Sequence, residues 1–126
     1  MHKAILALGS AVILAQIAQA EDWRPVEIGT SPGAVKSLYV EMQTMRRDGD
    51  LRYAWVLSWF DTTKSAYRYK KELVAIDCLQ NQFEGIKWVW VDTAGQLCES
   101  DDADTRWTRT LEGSPGDSIT RFVCGA

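Results

Sequence analysis

Three cysteines, one histidine and a scatter of carboxylates are the residues with which this 126-residue chain could do chemistry. The histidine, His2, falls in an N-terminal stretch that reads as a leader. Met1–Lys3 is positive, and Ala4 to Ile17 is apolar apart from Gly9, Ser10 and Gln16. Ala18-Gln19-Ala20 is an A-x-A cleavage pattern ahead of Glu21-Asp22. Residues 1–20 therefore read as a secretory signal peptide cut after Ala20. The apolar run is shorter than the ~20 residues a membrane span needs, and no later segment is apolar enough to cross a bilayer. No Cys follows the cleavage site, so no lipid anchor is evident. The expected location is periplasmic or secreted. The remaining domain, 21–126, has no His, which removes the commonest general acid–base group and metal ligand near neutral pH. A Ser-His-Asp or Cys-His arrangement cannot be built from it. Three Cys alone cannot close a four-ligand zinc site. The expectation is a protein with no catalytic residues, metal or cofactor.

In an exported chain, three cysteines imply one disulfide and one spare thiol. All three pairings close loops of similar entropy, so loop length does not choose between them. Cys78 is in phase with Val74 and Ile76, and Cys124 follows Val123 at the end of an amphipathic segment. A Cys78–Cys124 bridge would pin that segment to the core side of a strand and is the preferred pairing. Cys98 is then the free thiol. It is either a reactive or intermolecular thiol or a buried, inert side chain. Glu99, Asp101 and Asp102 beside it disfavour the thiolate, which favours the inert role.

Other groupings carry less. Asp102-Ala103-Asp104 starts like a calcium loop, but Arg106 and Trp107 stand where an oxygen ligand and Gly are required. A solvated acidic loop is expected there. Arg68, Lys70 and Lys71 form a small basic cluster that could touch sulfated glycans or acidic lipid headgroups. Three charges make no nucleic-acid stripe, so an ordinary polar strand face is the expectation. The net charge is −3, or −4 without the leader (13 basic against 17 acidic groups), which also argues against a nucleic-acid partner. Most of the six Trp alternate in phase with aliphatic residues, so core packing is expected of them. Trp59, beside a loop, is the Trp singled out for binding, together with Arg68, Lys70 and Lys71.

The elements that must position these residues are mostly strands. Trp23 to Ile28, Lys36 to Gln43, Leu51 to Phe60, Arg68 to Cys78 and Ile86 to Val91 carry period-two patterns. Arg47-Asp48-Gly49-Asp50 is a hairpin signal. Asp92-Thr93-Ala94-Gly95 fits a type I turn leading to a return strand at Gln96 to Cys98. Leu79 to Glu84 is ambiguous between loop and helical turn. Glu99 to Asp104 reads as an acidic loop, and Arg106 to Thr110 as a short strand. Ser114 can cap a helix that has Pro115 at its first position and Asp117 in its first turn. Ile119, Phe122 and Val123 make one apolar stripe along it. The fold class is α+β, mostly β: an antiparallel sheet of five to six strands with one C-terminal helix packed on it.

Tyr39-Val40-Glu41, Thr44-Met45, Asp48-Gly49, Ala54-Trp55-Val56-Leu57, Ile76-Asp77-Cys78, Asp92-Thr93-Ala94-Gly95, Trp107, Gly113-Ser114-Pro115 and Val123-Cys124 follow one another in this order. The pattern resembles the surface-adhesin protein E family of Gram-negative bacteria over essentially all of 21–126. The Ile-Asp-Cys strand end and the closing Val-Cys are its most specific parts. The resemblance implies an antiparallel sheet with a C-terminal helix tethered through Cys78 and Cys124. It also implies a non-enzymatic exported module that binds extracellular or host proteins, in some members as a homodimer. The chain departs from the founders in lacking the lipid-anchor Cys and in carrying Cys98. A periplasmic cell-envelope domain without an adhesin role, with an envelope protein as partner, is the alternative.

Overall fold

A computed structural model describes residues 21–100 and 106–125. The expected leader at 1–20 and the acidic residues Asp101, Asp102 and Asp104 lie outside the described residues. Eight strands are present among them: β1 Trp23–Val26, β2 Val35–Glu41, β3 Arg46–Asp48, β4 Leu51–Phe60, β5 Tyr67–Asp77, β6 Gln82–Asp92, β7 Leu97–Ser100 and β8 Thr108–Arg109. One helix, α1, spans Pro115–Cys124. All strands join one antiparallel sheet in the order β1-β2-β4-β5-β6-β7, with β3 on β4 and β8 on β6. The antiparallel sheet is the expected one, with eight strands among the described residues where five to six are expected. β3 is the strand the sequence did not announce, and β8 falls within the short strand expected at Arg106 to Thr110.

β4 is central, as its two-sided apolar pattern implies. β5 pairs along its whole length on one edge. β2 and β3 share the other edge end to end, β2 opposite Val56 to Phe60 and β3 opposite Leu51 to Tyr53. A two-residue loop, Gly49-Asp50, joins β3 to β4, since Asp48 pairs Leu51. Gly49 takes φ +61°, the positive value that such a hairpin needs at its first loop residue. The turn after β5 is organised by Asp77, whose Oδ1 accepts from the N–H groups of Leu79 and Gln80. Leu79 to Glu84 is therefore a turn running into β6, with no helical segment. The turn after β6 is organised in the same way by Asp92, which accepts from Ala94 and Gln96.

The core lies on one face of the sheet. Val26, Leu38, Val40, Ala54, Val56, Val74 and Ile76 are buried with Val123 of α1. Ile119 and Phe122 pack against this cluster, so the helical stripe read from sequence is the one that docks. The side chain of Ser114 caps α1 by accepting from the Asp117 N–H at 3.2 Å. Cys78 and Cys124 are disulfide-bonded, with Cα atoms 5.6 Å apart, and the bond ties the last turn of α1 to the end of β5. At the other end of the helix the chain is clamped by close backbone approach. Gly113 O accepts from the Ser31 N–H, and a Cβ on Gly29 would stand 2.6 Å from that same oxygen.

Three expectations are corrected. No Trp belongs to the buried core: Trp23, Trp55, Trp59, Trp88 and Trp90 are half-buried, and Trp107 is exposed at 40 %. The cluster beneath the helix is aliphatic instead: Val26, Leu38, Val40, Ala54, Val56, Val74 and Ile76. Cys98 is exposed and does not pack as a small core hydrophobe, because β7 is an edge strand. Glu99 sits in that strand opposite Val89, not in a loop.

Candidate functional site

Alternate residues of β4 face opposite sides of the sheet. While Ala54, Val56 and Ser58 turn to the helix, Trp55, Leu57 and Trp59 turn away. Register places Leu73 beside Trp55, Lys71 beside Leu57 and Tyr69 beside Trp59. Val89 of β6 comes next to Lys71, and on the far side Trp23 of β1 pairs Glu41 of β2. These residues surround a cleft of about 510 Å³, lined from β1, β2, β4, β5 and β6. Trp23, Trp55 and Tyr69 supply its aromatic walls, and Lys71, Glu41, Thr44 and Glu21 its polar groups.

β1 and β5 are three strand spacings apart, about 14 Å in a flat sheet. The long Lys71 and Trp23 side chains reach across that gap, and the Lys71 ammonium sits 5.5 Å from the centre of the Trp23 ring. Such closeness holds the cation over the π face and fixes both side chains. The Trp23 indole N–H donates to Glu21 Oε2 at 3.1 Å. Trp59 and Tyr69 extend the aromatic surface, with ring centres 4.9 Å apart.

Glu41 is buried at the side of the cleft. Its oxygens accept from the N–H groups of Asp22, Gln43 and Thr44 and from the Thr44 hydroxyl. Burial pushes its carboxyl up, but these hydrogen bonds outweigh burial and bring it below the ordinary 4.5. Asp61 is also lowered, by the side-chain and backbone hydrogen bonds from Thr63. The Gly113 N–H lowers Asp117, burial opposes it, and Arg121 adds to the lowering. A general acid at neutral pH needs a carboxyl moved the other way. Among the described residues no cluster of three His, Cys, Asp or Glu is placed to hold a metal ion.

The structure divides the residues singled out from sequence. Lys71 lines the cleft, and Trp59 adjoins it through Tyr69. Lys70 points to the other side, where it pairs with Glu72 at 3.4 Å. Arg68 donates to the Thr93 carbonyl at 3.2 Å. Cys98 is on the β7 edge, and Cys78 and Cys124 are under the helix end, remote from the cleft lining. Sequence reasoning missed Trp23, Trp55, Tyr69 and Glu41. The small residues of β4, Ala54 and Ser58, carried the signal that the aromatic side is the uncovered one.

Residues 23–125 match the surface-adhesin protein E family. The chain belongs to that family. The match takes in every strand and the helix, so the aromatic cleft and the disulfide both lie within the adhesin E domain. No curated protein and no solved structure matches the chain. Membership gives a surface-adhesin-like role at the level of the family and points to protein binding without catalysis. No helix among the described residues is long and apolar enough to cross a membrane.

Proposed function

We propose that this protein is a non-enzymatic exported binding module that uses its uncovered aromatic face to engage an extracellular or host protein in adhesion. The observation that carries the reading is the family match over nearly the whole chain. The form of the sheet supports it. One face is closed by α1, while the other presents Trp23, Trp55, Trp59 and Tyr69 around a cleft. Aromatic side chains of this kind supply large contact area at binding surfaces. Export follows from the leader read in residues 1–20.

The test is binding of the purified protein to immobilised extracellular-matrix and plasma proteins, with an unrelated acidic protein as the reference. Binding above that reference, lowered about tenfold or more by Trp55→Ala, is the expected result for an aromatic anchor. Binding no stronger than the reference removes the adhesin reading. Cell fractionation addresses the other half of the proposal. Surface or secreted protein is expected, and a purely periplasmic pool would turn the assignment to a cell-envelope role.

A further inference from the structure

We propose that the cleft on the uncovered face takes a peptide segment of the partner that sets an aromatic side chain beside a carboxylate. The ring lies against Trp55 and Tyr69, and the carboxylate meets the Lys71 ammonium. The inference rests on the reading above, that this face binds a protein, and adds the chemistry it selects.

The charged groups of the cleft are not equivalent. Glu41 has its oxygens taken up by four donors. Glu21 accepts from the Trp23 indole at the exposed rim. Lys71 is half-buried and forms no ion pair among the described residues; its neighbour is the face of Trp23. Of the three charged groups in the lining, Lys71 is the one with donors to offer, so a carboxylate gains a charge-assisted hydrogen bond there, against repulsion from the Glu41 and Glu21 carboxylates. A carboxylate is the anion a peptide supplies. The volume, about 510 Å³, is that of a ligand pocket and accommodates a ring with its neighbouring residue. A sugar chain fits the lining less well. Its many hydroxyls need partners, and Thr44, the hydroxyl beside Glu41, already donates to that carboxylate.

The experiment uses the disulfide-intact protein and follows the indole N–H signals of Trp23 and Trp55 by NMR. The titrants are acetyl-Gly-Phe-Asp-Gly-amide and the same peptide with Asn or Lys in place of Asp. The Asp peptide is expected to bind about fivefold tighter than the Asn peptide, with the Lys peptide weakest, the size of a partly screened charge-assisted contact. Lys71→Met should erase the Asp-over-Asn preference and leave weak ring-dependent binding. Trp55→Ala should abolish all three, with unchanged amide signals from the core strands as the folding control. If that variant does not fold, Lys71→Met alone decides. Equal affinity for the three peptides, or a preference that survives Lys71→Met, overturns the assignment. So does 3-phenylpropionate binding as tightly as the Asp peptide, which would make the cleft a small-acid site. Loss of the peptide preference alongside intact matrix-protein binding sinks the cleft assignment and spares the adhesin reading. The converse result, peptide selectivity without matrix-protein binding, removes the adhesin reading and leaves the cleft chemistry standing.

Discussion

The two faces of this sheet are built from neighbouring residues of the same strands and solve different problems. On the closed face, Leu38, Val40, Ala54, Val56 and Ile76 are nearly solvent-free beneath Val123 of α1. Their modest size lets a ten-residue helix, about 15 Å long, settle directly onto the strands. On the open face Trp23, Trp55, Trp59 and Tyr69 shelter one another without a second layer and stay half-buried. In β4 size, more than hydrophobicity, assigns a face: Ala54, Val56 and Ser58 lie toward the helix and Trp55, Leu57 and Trp59 away from it. The rule belongs to the part of the sheet that α1 covers, since in β6 Trp88 and Trp90 share the helix side by register with Glu72 and Lys70. Stability should therefore reside on the closed face and recognition on the open one.

The strongest way to break that division is to cut the staple. Cys78 and Cys124 are 46 residues apart in sequence, and freeing a loop of that length costs about 4 kcal/mol in the chain-entropy model. Urea unfolding of Cys78→Ala/Cys124→Ala should show a loss of that order, with the cleft geometry kept in whatever fraction stays folded. A loss under about 1 kcal/mol would mean that α1 is held by packing alone.

Next in size is a pair of truncations, one on each face. Leu38→Ala removes a side chain 1 % exposed and should cost roughly 3 kcal/mol while leaving partner affinity per folded molecule unchanged. Trp55→Ala should cost less stability and remove most of the binding. Calorimetric melting and a binding titration on both variants settle the matter. If Trp55→Ala proves the more destabilising and Leu38→Ala the more damaging to affinity, the faces have been assigned the wrong way round.

Much of this was legible in the amino-acid sequence. Period-two patterns located β2, β4, β5 and β6, and Ser114-Pro115 with the Ile119, Phe122, Val123 stripe located α1 and its docking side. The phase of Cys78 with Val74 and Ile76 indicated the disulfide. What alternation cannot tell is which side of a two-sided apolar strand is covered. In β4 the bulky set, Leu51 to Trp59, looks more hydrophobic than Ala54, Val56 and Ser58, yet the smaller set is the core. That choice depends on the shape of a helix more than fifty residues further along. The cleft was illegible for a related reason. Lys71 and Trp23 meet across two intervening strands, a contact set by strand order and not by any local pattern in the sequence. The basic cluster is split because adjacent residues of a strand point apart, which separates Lys70 from Lys71.

A smaller effect probes the helix that closes the core. Ser114→Ala removes the acceptor for the Asp117 N–H and should cost about 1 kcal/mol, measured as a shift in the urea midpoint. Substituting Thr should recover most of it, since a hydroxyl is retained. No recovery by Thr would show that the Ser114 contact is a bystander and that Pro115 and the Gly29–Gly113 clamp set the start of α1.

The smallest effect shows only in acid, and it puts one carboxylate on each side of the comparison. Glu41 beside the cleft and Asp117 in the first turn of α1 both have folded-state pKa values below their ordinary 4.5 and 3.8. At low pH the unfolded chain then binds protons that the folded one resists. Each group's contribution is full above its unfolded pKa and is lost as pH falls through its folded one. The urea midpoint should hold steady from pH 7 to about 5 and then decline as pH falls toward 3. Glu41→Gln should lower the plateau and flatten the upper part of the decline, and Asp117→Asn the lower part. Because Glu41 fixes Asp22, Gln43 and Thr44 at the rim of the cleft, its protonation should also weaken partner binding in the same range. Asp117, on the closed side, should leave affinity untouched. An acid limb of equal slope in Glu41→Gln and the parent protein would deny the carboxylate its place in holding the open face together.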